Sequence, residues 1–173
     1  MICLHKYEVA QKNISGAISL YCLCNYVASF TLSYTALNLL KDLSRRNNID
    51  DILKEKCSSD FSDLPKKMKD LWNRIKHADK ENDDICCPTE EDSRFSIVMC
   101  LLFASRLGLD IFTDHKIFLA WVSHFFTALH SEYEELGNEL FQSDSNLPFE
   151  AKVESLKDIL NSTENPFFKE SRL

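Results

Sequence analysis

The chain is poor in the two residues that most often interrupt helices, with three Gly and four Pro among its 173 residues. Because Gly and Pro are the least favourable residues in a helix interior, their scarcity favours long helices. The sequence also lacks an apolar run of the roughly 20 residues that a membrane-spanning helix needs. Its N-terminus has neither the basic start nor the apolar stretch of a signal peptide. We therefore expect a cytoplasmic protein with no membrane partner.

Several kinds of functional site are also missing. The seven Cys include no Cys-x-x-Cys pair, and we expect Cys22, Cys24 and Cys100 to be small apolar residues inside helices. His124 and His130 lack the four-residue spacing of a helical metal-binding pair. No Gly-rich loop suited to phosphate binding occurs. The sequence thus indicates no metal, no cofactor and no ATP-dependent chemistry.

Apolar residues make up 45% of the chain and recur at steps of three and four in six segments, which is the period of an amphipathic helix. The predicted helices cover approximately residues 5–24, 26–46, 64–78, 89–107, 113–141 and 147–160, with a further short helix predicted at 50–57. We expect an all-α fold, an antiparallel bundle of five to six helices. The residues expected to be buried are Leu71, Leu102, Phe103, Trp121 and Phe125. The aromatic row formed by Phe112, Phe118, Trp121, Phe125 and Phe126 is expected to be core or dimer interface. His5 and His115 are expected to be solvated.

The third predicted helix differs in charge from the rest. Residues 64–77 carry a net charge of +4 in a chain of net charge −7, from Lys66, Lys67, Lys69, Arg74 and Lys76 against one Asp. Such a patch can hold a phosphate locally. Asn73 and His77 lie one turn apart on the polar face. His77 is the best candidate for proton transfer because histidine titrates near neutral pH. Alternatively, the cations only solvate the helix, and Asn73 and His77 cap its end.

This segment also resembles a known signature. Residues 73–81, Asn-Arg-Ile-Lys-His-Ala-Asp-Lys-Glu, resemble the Asn-Phe-Phe-Lys-His-Ala-Asp-Arg-Asp signature of a group of uncharacterised bacterial proteins. Residues 31–43 are similar to the second helix of that group, and residues 118–121 to its late aromatic element. In several members the signature reads Arg-Asn-x-x-x-His, which resembles the motif of the HEPN superfamily. HEPN domains are helical bundles that usually dimerise. Many are metal-independent RNases of toxin–antitoxin and phage-defence systems, and others are inactive binding modules.

The resemblance covers approximately residues 14–130 and implies a HEPN-like bundle, which we expect to span residues 1–131. It leaves the acidic C-terminal segment unexplained, and we expect residues 132–173 to be a helical extension and tail of the same domain. It further implies a homodimer, RNA or a nucleotide as ligand, and an antitoxin-like protein partner. The implied catalytic set is His77, Asn73 and Lys76, and the implied nucleic-acid contacts are Lys69, Arg74 and Lys76.

One position departs from the HEPN motif, because Trp72 stands where its Arg is expected. The sequence therefore leaves open whether the chain is an enzyme. The alternative is a catalytically silent interaction module whose partner surface is the acidic C-terminal segment.

Overall fold

The computed structural model describes residues 5–46, 64–76, 87–126, 131–141 and 146–162. These ranges contain helices and no strand, so the predicted all-α class is confirmed for them. The seven helices described are α1 (Lys6–Cys22), α2 (Tyr26–Arg46), α3 (Leu64–Lys76), α4 (Glu90–Arg106), α5 (Thr113–Phe125), α6 (Ser131–Leu140) and α7 (Phe149–Ser162). None of them is long and apolar enough to cross a membrane. The predicted short helix at 50–57 lies outside the described residues.

Contacts divide the chain into two compact units, Met1–Asp110 and Ile111–Leu173. The first unit contains α1 to α4 and the second contains α5 to α7. The predicted division into residues 1–131 and 132–173, and the HEPN-like arrangement of the helices, stay predictions.

The connection between α1 and α2 corrects one prediction. The first helix ends at Cys22 rather than Cys24, because Cys24 adopts a positive φ of 57°. That left-handed conformation ends a helix, and the N–H groups of Cys24 and Asn25 donate back to the carbonyls of Tyr21 and Leu20, both at 2.9 Å. Cys24 is therefore an exposed turn residue rather than a small apolar residue inside a helix.

Small side chains let the helices of the first unit approach closely. The Cβ position of Gly16 in α1 lies 3.0 Å from Cδ1 of Leu32 in α2. Between α2 and α4, the buried hydroxyl of Ser33 donates to Oγ of Ser96 at 2.8 Å. The thiol of Cys100 donates to the Ser33 carbonyl at 2.9 Å. The core is thus tied by short polar contacts as well as by apolar packing.

Both ends of α4 follow the sequence prediction. Thr89 caps its N-terminus, accepting from the Asp92 N–H at 3.2 Å, while Oδ2 of Asp92 accepts from the Thr89 N–H at 3.0 Å. This reciprocal pair is a capping box. The helix ends at Arg106, and Gly108 follows with a φ of 67°, which glycine adopts without strain.

The second unit departs from prediction where one helix was expected over 113–141. The described residues of that segment form two helices, α5 and α6, which pack against each other. Gly137 of α6 lies so close to α5 that a Cβ there would be 2.6 Å from the Ala120 carbonyl oxygen. The indole N–H of Trp121 donates to the Lys152 carbonyl at 2.7 Å, which ties α7 to α5.

Burial confirms part of the expected core and corrects Leu71 and Leu102. The buried members are Phe103, Phe118, Trp121 and Phe125. Leu71, Leu102 and Phe126 are only partly buried, and Phe112 is 41% exposed. The expectation that His115 is solvated is wrong: its side chain is 1% exposed, with its ring stacked on Phe112 at 5.1 Å. His5 is exposed, as expected.

Candidate nucleic-acid interface on α3

Aromatic and apolar contacts seat α3 on α2. Met68 is buried at 2% exposure, on the side of α3 predicted to be apolar. The Trp72 ring lies 5.2 Å from the Tyr34 ring of α2, which stacks in turn on Phe30 at 5.6 Å. Trp72 is partly buried by this contact. Trp72, which stands where the resemblance to the HEPN motif leads us to expect an Arg, therefore serves packing in this chain.

An ion pair ties α3 to the start of α4. Nζ of Lys67 lies 2.7 Å from Oδ1 of Asp92, whose side chain is 6% exposed. Burial by itself would raise the pKa of Asp92, but the hydrogen bonds from Lys67 and Thr89 hold that pKa below its ordinary value. The carboxylate thus stabilises two features at once, the N-terminus of α4 and the placement of α3.

The polar face of α3 carries the predicted cations at the surface. Lys66, Lys67, Lys69, Arg74 and Lys76 are all exposed, as is Asn73. His77, the predicted catalytic residue, lies outside the described residues. The pairing of Asn73 with His77 on one face therefore stays a prediction.

A groove of about 460 Å³ runs along part of this surface. The described residues that line it are Lys66, Lys67, Asp70, Leu71 and Arg74. Of the predicted nucleic-acid contacts, Arg74 lines the groove, whereas Lys69 and Lys76 do not. Asn73 is not among the lining residues either. The structure thus groups Arg74 with two lysines that the sequence prediction counted as charge but did not place in the site.

The lining residues follow a pattern that can be read from the sequence afterwards. Positions 66, 70 and 74 recur every four residues, and 67 and 71 form the adjacent row, so together they make one stripe of a helix. Lys69 and Lys76 fall on a neighbouring stripe of the same polar side. The four-residue spacing could have distinguished the two stripes in the sequence. The net charge could not, because all five cations contribute to it equally.

Asp70 is the one acidic side chain among the described residues lining the groove. Neither Asp70 nor Lys66 forms an ion pair within the ranges that the structure covers. Burial raises the pKa of the Tyr34 phenol, and the negative charge of Asp70 raises it further. Asp70 therefore lies near enough to Tyr34 to interact with it electrostatically. The described residues that line the groove thus combine three cations, one carboxylate and an apolar side chain.

The described part of the chain contains no cluster of candidate metal ligands. Among the described residues, no three His, Cys, Asp or Glu side chains come together as metal ligands. Nδ1 of His124 lies 3.0 Å from Oδ1 of Asn138, which makes it part of the α5–α6 packing. His130 lies outside the described ranges. At the start of α5, Asp114 and His115 are both buried, with Nε2 of His115 3.8 Å from Oδ2 of Asp114.

No family model, curated protein or solved structure matches this chain.

Proposed function

We propose that this protein binds RNA through its phosphates at the basic face of α3. The observation that carries the proposal is the groove lined by Lys66, Lys67 and Arg74 on a chain of net charge −7. An acidic body repels a polyanion, so binding has to occur where cations outnumber carboxylates locally. Arg74 adds a planar fork of donors that fits phosphate oxygens in pairs.

We further propose that His77 makes this surface a metal-independent RNase in stress or defence. Such cleavage needs a base for the 2′-hydroxyl proton, a cation for the phosphorane and an acid for the leaving oxygen. His77 is the candidate for the proton transfers, Asn73 for orienting the phosphate and Lys76 for the cation. The resemblance supports this assignment, and the exposure of Asn73 and Lys76 is compatible with it.

A symmetric homodimer would place a second copy of this set beside the first, as in HEPN proteins, with an antitoxin-like protein as a further partner. Light scattering tests the assembly. A dimer gives twice the 20.0 kDa of one chain, and a monomer at high micromolar concentration contradicts the composite site.

Binding of single-stranded RNA, measured by fluorescence anisotropy over a range of salt concentrations, tests the phosphate contacts. Lys66→Ala should weaken binding and reduce the slope of log K against log salt by about 0.7, as expected for one lost contact to a single strand. Lys76→Ala should do the same if the neighbouring stripe also contacts phosphates. Lys12→Ala on α1 is the matched control, since Lys12 is equally exposed. An equal effect of Lys12→Ala would show that only overall charge matters.

Cleavage is tested separately with labelled RNA. His77→Ala should abolish cleavage while leaving RNA binding and the circular dichroism spectrum unchanged. A chelator should have no effect, because the proposed chemistry uses side chains alone. Cleavage that survives His77→Ala, or that stops when a chelator is added, contradicts the assignment.

A catalytically silent interaction module is the second candidate, and one observation favours it. Trp72, at the position of the HEPN arginine, packs on Tyr34 with ring centroids 5.2 Å apart. With Trp in place of Arg at this position, the side chain packs against α2 and supplies no guanidinium for a phosphate. A helical bundle with this substitution can fold normally and lack RNase activity. Absence of RNA binding at low salt would favour the module over the RNA-binding proposal.

A further inference from the structure

The groove on α3 contains a feature that simple phosphate binding does not require. Asp70 lies between Lys66 and Arg74, one helical turn from each, which is about 6 Å along the axis in either direction. A carboxylate at that point repels any phosphate placed next to it. A site that binds phosphates alone would have a higher affinity with a neutral residue at this position.

A carboxylate in such a groove favours ligands that bring a hydrogen-bond donor close to their phosphates. Phosphates held by Lys66 and Arg74 would leave the sugars between them facing Asp70. The sugar of RNA carries a 2′-hydroxyl, which can donate a hydrogen bond, whereas the sugar of DNA has no donor at that position. A hydrogen bond to an ionised carboxylate is among the stronger kinds.

We infer that Asp70 makes the α3 groove select RNA over DNA by accepting a hydrogen bond from a ribose 2′-hydroxyl. This inference rests on the RNA binding proposed above. Asp70 is available for the contact, because it is exposed and forms no ion pair within the described ranges.

Two oligonucleotides of identical sequence test the inference, one RNA and one DNA, both about 12 nucleotides long. Both should lack guanine, so that base donors of guanine cannot contribute. The full-length chain should bind the RNA about tenfold more tightly at low salt, as expected for one charge-assisted hydrogen bond. In Asp70→Asn the preference should fall to about twofold or less, and the affinity for DNA should rise because the repulsive charge is gone.

Asp158→Asn on α7 is the matched control, since it removes the same charge from an exposed position in the other unit. It should keep the tenfold preference. The comparison of RNA with DNA needs only the unaltered chain, so it stands even if Asp70→Asn folds poorly.

The outcomes separate the inference from the proposal on which it rests. Equal binding of RNA and DNA by the unaltered chain overturns the inference alone. A preference for RNA that persists in folded Asp70→Asn also overturns it, as does a preference that appears only with guanine-containing strands. If neither nucleic acid binds, the proposed function and the inference both fail.

Discussion

The ion pair between Lys67 and Asp92 gives the most quantitative prediction about how α3 is held. Lys67→Met keeps the aliphatic stem and removes the charge, leaving a carboxylate of 6% exposure without its cation. Removing one partner of a fully buried pair costs about 3–5 kcal/mol, and an exposed pair contributes about 0.2–1 kcal/mol. Because the Lys67 side chain is 60% exposed and Asp92 keeps its contacts with Thr89, we expect a loss of about 1–2 kcal/mol in the free energy of unfolding at pH 7.

The loss should depend on pH in a direction set by Asp92. Folding lowers the pKa of this carboxyl, so its contribution is present above the ordinary range of an aspartate and disappears as the pH falls through the lowered value. The difference between Lys67→Met and the unaltered chain should therefore shrink as the pH falls from 7 to about 3.

Urea unfolding followed by circular dichroism at several pH values measures this difference. Lys66→Met is the control. It removes the same charge from the neighbouring residue, and Lys66 forms no ion pair in the described ranges. It should leave stability within about 0.5 kcal/mol. Equal losses in the two variants, or a loss for Lys67→Met that is the same at pH 3 and pH 7, would refute the reasoning.

Two further substitutions and one labelling experiment test other parts of the structure. Gly137→Ala should destabilise the second unit by about 1–2 kcal/mol in urea, because the clash with the Ala120 carbonyl outweighs the gain in helix propensity; a more stable variant would contradict the close approach of α6 to α5. Trp72→Arg should lower stability by about 2 kcal/mol and lose the contact with Tyr34, so a stable variant with new RNase activity would contradict the packing role. Burial raises the pKa of the Cys100 thiol, so peptide mapping should find it unlabelled by a thiol reagent until urea is added.

The sequence predicted correctly the helices whose ends are set by residues close to those ends in the chain. The prediction for α2 matches the structure over 26–46, and Thr89 with Asp92 marks the start of α4 because a capping box is a contact within one turn. The break between α5 and α6 could not be read in this way. The apolar pattern continues across it, and the close fit of Gly137 against Ala120 exists only once the chain has folded back. The burial of His115 is likewise a consequence of tertiary packing.

The candidate site was predictable as a region but not as a set of residues. The excess of cations over residues 64–77 is a property of the sequence. Which of these cations line the groove depends on how α3 packs on the rest of the first unit. Trp72 contacts Tyr34 and Lys67 pairs with Asp92, and Tyr34 and Asp92 are both distant from α3 in the sequence. The prediction therefore included Arg74 but omitted Lys66 and Lys67 from the site.

The location of RNA binding is the central claim, and chemical-shift mapping by NMR measures it most directly. The labelled 173-residue chain is titrated with a short single-stranded RNA at low salt. The account predicts that the largest amide shifts fall on residues 66–76 of α3, with small shifts on α7, where exposed acidic side chains repel phosphate. Shifts concentrated outside α3, or no shifts at a saturating RNA concentration, would contradict it.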